Sequence, residues 1–403
     1  MTSATVPEQS SVGDPERVPS KVPSATEPRP LRVLLVTARY APFVGGTETH
    51  AREIAIRMAA AGHAVTVLTT NPGGRLPAEE SQNGVAIRRV RAWPANRDYY
   101  LAPGIYRIVM GGGWDIVHAE GYHTLVAPLA MAAAWRSKVP YVVMFHSGGN
   151  SSRLRLALRT AQRLALRPLL ARAGRLVAVS RWEERFFRSK LQLPAERFAM
   201  VYNGAPNLRE LVVARDGDSR PEGKVLVSMG RLERYKGHHR VIAALPRVVE
   251  RYPDVRLRIL GSGPYEGTLR ALAERMGVAD RVEIAGVAFD DRRGLASTLA
   301  GATLTLALSD YEAYPIAVLE ALSLGRPVLV SDTTGLSEFA DFPLVTAIPP
   351  RSTTAEIAEA IAGQLERPAG PIDVVVDPPT WDECTAKILA LYHEVLREAG
   401  CGS

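Results

Sequence analysis

Short runs of apolar, β-branched residues alternate with helical segments along most of the chain, and this rhythm constrains the fold more than any other feature. Leu31–Thr37 (LRVLLVT) is too uniformly apolar for a strand with one wet face and reads as a strand buried on both sides. A glycine-containing loop (Ala41–Thr47) follows, then a helix-period segment from Glu48 to Ala61. Gly62 stands where a helix C-terminus favours glycine, and a second strand, His63–Thr69, comes next. This is a βαβ unit. Further buried strands are expected at Asp115–His118, Tyr141–His146, Arg175–Ser180 and Phe198–Tyr202. A second series follows at Lys224–Met229, Val255–Leu260, Val282–Ala285, Ala302–Leu308 and Pro327–Ser331. The fold class is therefore α/β, with open parallel sheets covered by helices on both faces.

With 403 residues the chain is too long for one ordinary core. The polar stretch 206–223 reads as a linker between a domain over 30–205 and another over 224–379. Residues 1–29, rich in Pro, Ser, Glu and Val, read as a disordered tail, and a helix within 380–403 is expected to pack back toward the N-terminal domain. Two such domains leave a cleft between the carboxyl ends of their strands, where doubly wound sheets hold ligands. The two cysteines, Cys384 and Cys401, form no C-x-x-C or Cys/His cluster, which speaks against a disulfide framework or a zinc site. No apolar run is long enough to span a bilayer, so a cytoplasmic location is expected, with contact at a membrane surface left open.

The chemistry concentrates in Ser309–Ser331 (SDYEAYPIAVLEALSLGRPVLVS). A helix is expected from about Pro315 to Leu324, with proline at its first position. Its first N–H groups, on Ile316 and Ala317, are free to bind a diphosphate with the help of the helix dipole. Glu312 lies in the loop before the helix, and Glu320 lies within it among Val318, Leu319, Ala321 and Leu322. A carboxylate in that company needs a partner, and paired sugar hydroxyls would provide one. The segment resembles the E-x7-E motif of the retaining glycosyltransferase family 4, whose members have the GT-B fold of two Rossmann-like domains facing across a cleft. The resemblance implies that Glu312 contacts the donor sugar and Glu320 the nucleotide ribose. Pro315 stands where the family usually has glycine.

Other segments carry the same resemblance. Gly230–Leu245 (GRLERYKGHHRVIAAL) is similar to the family's G-R-L-x-x-x-K-G segment, in which Arg231 and Lys236 would neutralise a leaving diphosphate. Gly261–Leu269 resembles the G-x-G-P turn lining the nucleotide pocket, with Gly263 as a donor-binding position. In PFVGGTETHAREIA, Gly45 and Gly46 precede a helix with Thr47 as its expected N-cap and Glu48 in its first turn. The resemblance places Gly46 against the donor. His146 ends YVVMFH where the family often carries a histidine near the reacting sugar, which makes it a candidate catalytic residue with Glu312, Arg231 and Lys236. His118 ends DIVH. Glu120 stands where the family frequently has a second histidine. Asn203–Gly204 reads as a turn needing positive φ, and Gly335 with Glu338 as a loop on the ribose side or a helix cap.

Residues 151–175 contain no acid, and Arg155, Arg159, Arg163 and Arg167 recur every fourth residue. On a helix this makes one cationic and one apolar face. One reading is attraction to an anionic membrane surface; the other is a surface helix whose apolar side packs on its own domain. No aromatic interleaving accompanies the charge, so a nucleic-acid partner is not expected. The only D-x-D, Asp216–Asp218, falls in the linker, and neither a metal nor a cofactor is expected beyond the nucleotide-sugar co-substrate. The resemblance implies transfer of a glycosyl group from a nucleoside-diphosphate sugar to an acceptor hydroxyl with retained configuration. A sugar phosphorylase, a nucleotide-sugar epimerase and a non-catalytic sugar-binding protein on the same fold are the alternatives.

Overall fold

Two parallel sheets carry the structure, a computed structural model that describes residues 29–43, 45–94, 101–147, 153–206, 208–212, 223–286, 291–367 and 378–400, with the backbone alone over 153–157. The expected tail up to residue 28, Asp216–Asp218, Cys401 and the Arg155 side chain lie outside what is described. From Leu31 onward the chain forms one compact unit.

The first sheet contains β1 (Arg32–Val36), β2 (Ala64–Asn71), β3 (Glu79–Gln82), β4 (Val85–Arg91), β5 (Ile116–Glu120), β6 (Tyr141–Met144), β7 (Arg175–Ala178) and β8 (Phe198–Met200). Their order is β3-β4-β2-β1-β5-β6-β7-β8, parallel except for the β3–β4 pair. Helices α1 (Gly46–Ala60), α2 (Pro103–Met110), α3 (Val126–Ser137), α4 (Arg153–Leu170) and α5 (Arg181–Leu191) accompany it. The second sheet contains β9 (Val225–Met229), β10 (Arg256–Leu260), β11 (Val282–Ala285), β12 (Leu304–Ala307), β13 (Val328–Ser331) and β14 (Val345–Ile348), in the order β11-β10-β9-β12-β13-β14. Helices α6 (His238–Arg251), α7 (Glu266–Arg275), α8 (Arg292–Ala300), α9 (Ile316–Ser323) and α10 (Thr354–Leu365) belong to this half, and α11 (Trp381–Glu398) follows.

Each sheet reverses direction once, between β1 and β5 in the first and between β9 and β12 in the second. That reversal opens a crevice at the carboxyl ends of the strands. The register is set by apolar triplets: Val33 lies opposite Val65 and Ile116, and Leu226 opposite Leu257 and Leu304. The sequence reading has no strand at β3, β4 or β14. In β4 the buried positions Val85, Ile87 and Arg89 alternate with exposed ones, so the uniformly apolar signature is missing. Arg89 is satisfied there by the carbonyl of Ala41 and the carboxylate of Glu80.

Several local expectations are corrected. Helix α1 begins at Gly46 with Gly45 as its cap, because the Gly45 carbonyl accepts the first helical bond from Thr49 N, so Thr47 lies inside the helix. Pro315 is likewise the cap residue of α9, in extended backbone, and Ile316 is the first helical residue. The Asn203–Gly204 turn is not left-handed. Glycine is required at 204 because a side chain would run into the backbone of Trp381, 2.4 Å from its amide nitrogen. That close approach seats α11, whose Trp381 and Tyr392 are buried against the first half and α1.

Helix α4 follows the packing reading in part: Leu166, Leu169 and Leu170 lie against the core of the first half, but arginines share that inner face. Arg159 and Arg163 face inward and line a cavity, and Arg167 donates through Nε to the Leu191 carbonyl at 2.8 Å. The outer arc is apolar: Leu158 is 56% and Leu164 64% exposed, with Ala161, Ala165 and Pro168 between them. Of these guanidinium groups, Arg167 is held by backbone carbonyls and Arg163 by Thr160, while Arg159 faces the cavity.

Residues read as linker also join the core. Leu208 is fully buried with Val225, Val227 and Leu299, and Arg209 donates to the Ser323 carbonyl at 2.5 Å. Leu208→Ala should therefore cost about 2–5 kcal/mol in urea unfolding, as for a core leucine. A loss under about 0.5 kcal/mol, typical of an exposed position, would show that the segment is a linker after all.

Candidate active site

The C-terminal half brings its motifs together at the β9/β12 reversal. After β9 the chain turns through Gly230 and Arg231, makes a 3-10 turn at Arg234–Lys236 and enters α6 at Gly237. Gly237 has φ +77°, and a side chain there would lie 1.9 Å from the Leu308 carbonyl oxygen, so only glycine lets this turn pack on the end of β12. As a result Lys236 Nζ reaches Glu312 Oε1 at 2.6 Å, and Ser309 Oγ donates to the same oxygen at 2.8 Å. Burial alone would lower the Lys236 pKa, but the Glu312 charge outweighs it and holds the ammonium above its ordinary value. The Glu312 backbone is pinned as well: its N–H donates to Thr334 Oγ1, and its carbonyl accepts from Gly335 N, each at 2.9 Å.

Glu320 sits on α9, buried, with Oε1 2.9 Å from an Arg292 guanidinium nitrogen. Burial pushes its carboxyl above the usual carboxylate range, and Arg292 only partly opposes this. Ile316 and Ala317 occupy the first turn of α9, where N–H groups have no partner in the helix ladder. Arg231 is more open, with a guanidinium nitrogen 3.8 Å from Glu233, and its carbonyl accepts from buried His238. Gly263 has a structural reason to be glycine: a side chain would lie 2.5 Å from the Leu232 carbonyl oxygen.

In the N-terminal half the corresponding position is the β1/β5 reversal. Gly46 opens α1, and a side chain there would meet nothing within 4 Å, so protein packing does not require the glycine. His146 follows β6 with φ +41°, a backbone rare for any residue but glycine. Its Nε2 lies 2.7 Å from Glu120 Oε2, a close ion pair whose N–H is off the ideal line. Glu120 ends β5, wholly buried, with His50 Nε2 at 3.5 Å and His118 Nε2 at 3.4 Å from its other oxygen. His118 shares a 2.5 Å hydrogen bond with the Tyr392 hydroxyl of α11.

The ligand atoms of His50, Glu120 and His146 lie within 4.8 Å of one another, a set chemically able to hold zinc. Two ligands on one tetrahedral zinc stand about 3.3 Å apart, from bonds of about 2.0–2.1 Å. The 2.7 Å contact is too short for that and fits a shared proton. Burial is the largest influence on every group here, and it holds His50 down to about 3 and His118 below its usual value, so both are neutral. For Glu120, burial is outweighed by the histidines, chiefly His146, and the pKa falls to about 2. For His146, burial is outweighed by Glu120, and the pKa rises. The pair therefore reads as imidazolium and carboxylate.

The halves meet directly beside these groups. Trp182 stands edge-on to Tyr311 with ring centroids 5.1 Å apart, Glu338 accepts from Trp182 N at 2.7 Å, and Asn203 Nδ2 donates to the Tyr314 carbonyl at 3.1 Å. Glu338 thus sits at the first turn of α5 in the other half. A larger cavity of about 460 Å³, lined by Arg32, Ala64 and Trp114, lies at the amino ends of β1 and β2, opposite the edge where such sheets hold ligands.

Sequence reading alone did not assign Glu120, His50, Arg292, Ser309 or Thr334 a role. Only the H-x-E spacing at 118–120 hinted at one of them; the rest are partners created by strand order. Two doubly wound sheets whose reversals open on one cleft, with a cation–carboxylate pair at one and a histidine at the other, define a two-domain glycosyltransferase of the GT-B fold. Residues 44–206 match the family described as Glycosyltransferase Family 4, and residues 214–368 the one described as Glycosyl transferases group 1. The chain belongs to the family 4 glycosyltransferases. It is 27% identical to an uncharacterized glycosyltransferase of Methanocaldococcus jannaschii over 338 residues, 76% of this chain and 82% of that protein. It is 28% identical to a glycogen synthase of Mycobacterium tuberculosis over 367 residues, 84% of this chain and 87% of that one. An Anabaena protein solved in complex with UDP and glucose shares the fold, with TM-score 0.68 and 18% identity over 89% of this chain and 98% of that one. No helix among the described residues is long and apolar enough to cross a membrane.

The His146–Glu120 pair has a defined pH window. Glu120, lowered from 4.5, contributes stability above pH 4.5 that is lost as pH falls toward about 2. His146, raised from 6.5, contributes stability below pH 6.5 that is lost as pH rises through its folded value. Nitrogen-15 NMR titration should place His146 above 6.5 in the native protein and below it in Glu120→Gln. An unchanged His146 titration would show that the carboxylate does not hold the proton there.

Proposed function

We propose that the protein transfers a glycosyl group from a nucleoside-diphosphate sugar to an acceptor hydroxyl with retention of anomeric configuration. The observation that carries this reading is the Lys236–Glu312 pair at the β9/β12 reversal, beside an α9 that bears Glu320. The diphosphate takes Lys236, Arg231 and the N–H groups of Ile316 and Ala317. These groups neutralise charge as the bond between the anomeric carbon and the phosphate oxygen breaks. Glu320 accepts from the ribose hydroxyls, and Glu312 orients the donor sugar. Gly46 and His146 close on the sugar from the opposite half, where the imidazolium donates a hydrogen bond. The acceptor oxygen bonds to the anomeric carbon on the face the leaving group vacates, and its proton passes to the leaving phosphate oxygen. The E-x7-E resemblance at Glu312 and Glu320 supports retention, and the UDP and glucose of the Anabaena neighbour support a nucleotide-sugar donor for this fold.

The test is a thermal-shift screen against UDP-, GDP-, ADP- and TDP-sugars; no stabilisation by any of them contradicts the reading. With the donor that binds, Glu320→Ala should weaken nucleotide affinity about tenfold, or about 1.4 kcal/mol. Glu312→Ala should chiefly lower kcat, by about 10²-fold. Equal effects of the two substitutions on affinity and turnover would overturn the division of roles.

We also infer that the outer face of α4 rests on a membrane surface. Exposed Leu158 and Leu164, with small apolar residues between them, support this better than the inward-facing arginines do. The native protein should co-float with phosphatidylglycerol vesicles, and Leu158→Ser with Leu164→Ser should abolish this. Flotation of the double variant at native levels would refute the contact.

A further inference from the structure

A cavity of about 210 Å³ opens in the cleft wall between the two halves, lined by Tyr122, Ser147, Arg159, Arg163, Phe186 and Tyr311. Its position ties it to the chemistry, because Ser147 follows His146 and Tyr311 precedes Glu312 in the chain. A group held here stands beside the residues that adjoin His146 and Glu312. Its charge is one-sided. Two guanidinium groups line it, four residues apart on α4 and so on one face of the helix, and no carboxylate does.

Neither arginine has an anionic partner. Arg159 makes no hydrogen bond or ion pair among the described residues. Arg163 donates to Thr160 Oγ1 at 2.9 Å, meets the Tyr122 hydroxyl, and lies 5.5 Å from the Phe186 ring centre. Behind Ser147, the nearby carboxylate of Glu183 is engaged by the amides of Ser147 and Val179 and by the Ser147 hydroxyl. Both arginines are half-buried on the face of α4 that also packs Leu166, Leu169 and Leu170 on the core, so their charge is directed into the cavity without a carboxylate to meet it. The remaining polar lining consists of hydroxyls, and burial pushes those of Tyr122 and Tyr311 up, so they stay protonated donors.

We propose that this cavity binds an anionic phosphate group carried by the acceptor, with Arg159 and Arg163 as its ligands. The proposal rests on the transferase reading for its link to the acceptor. Paired guanidinium forks match phosphate geometry. A phosphomonoester on a small molecule and a phosphodiester in a lipid headgroup present the same chemistry.

The test is calorimetric, with the donor side saturated by UDP. Glycerol 3-phosphate represents the soluble source, dihexanoyl phosphatidylinositol below its micelle concentration the lipid source, and glycerol the neutral control. At least one phosphate probe should bind the native protein ten or more times tighter than glycerol, and the tighter of the two identifies the source. Arg159→Gln with Arg163→Gln should remove that preference, whereas the corresponding lysine pair should keep part of it. Arg159→Gln alone, which breaks no protein contact, should show a loss without lowering the melting temperature. Binding of both phosphate probes no better than glycerol, or equally well by the glutamine pair, overturns the proposal. If UDP itself fails to bind, the phosphate comparison is still read between native and variant proteins, so that result counts only against the donor assignment.

Discussion

Lys236 and Glu312 are separated by 76 positions in the chain, yet their charged atoms stand 2.6 Å apart. Nothing local joins them. They meet because β9 and β12 are parallel neighbours whose carboxyl ends emerge side by side, and because Gly237 lets the intervening turn pack on Leu308. An ammonium so enclosed needs a counter-charge, and the same enclosure strengthens its attraction for any anion that comes to the crevice. The polar contacts of Ser309, Thr334 and Gly335 all serve to hold the Glu312 end of this pair in place.

The opposite wall repeats the arrangement with different residues. Glu120 and His146 come from neighbouring strands of the first sheet and form a charged pair at its own reversal, closed from behind by Tyr392 of the last helix. Glu320 shows the complementary side of the same physics. Its carboxyl is held above the normal range by burial, so the ionised form destabilises the folded chain at neutral pH. A group that costs stability and is nonetheless placed in a crevice is better explained by a ligand than by packing.

The fold was largely legible in the sequence because parallel strands buried on both faces leave an unmistakable apolar signature, as in Leu31–Val36 and Val225–Val227. Strand β4 escaped because it buries an arginine among its apolar residues, and a buried Leu208 was hidden inside a polar stretch. Motif spacing pointed to Glu312, Glu320, Arg231 and Lys236 but not to their partners. Arg292 meets Glu320 only through the packing of α8 on α9, and Glu120 gains its histidines only through strand order. The direction of α4 was illegible for another reason. Periodicity does not show that one helix face can serve two surroundings, and here Leu166, Leu169 and Leu170 meet the core while Arg159 and Arg163 line a cavity.

The account stands most directly on the claim that the mouth of β9 and β12 seats a diphosphate. Calorimetric titration of a nucleoside diphosphate and of its parent nucleoside, into the native protein and into Lys236→Ala, measures this. The account predicts that the substitution weakens the diphosphate at least tenfold, flattens its dependence on salt, and leaves the nucleoside unchanged. Equal loss for both ligands, or none for either, would contradict it.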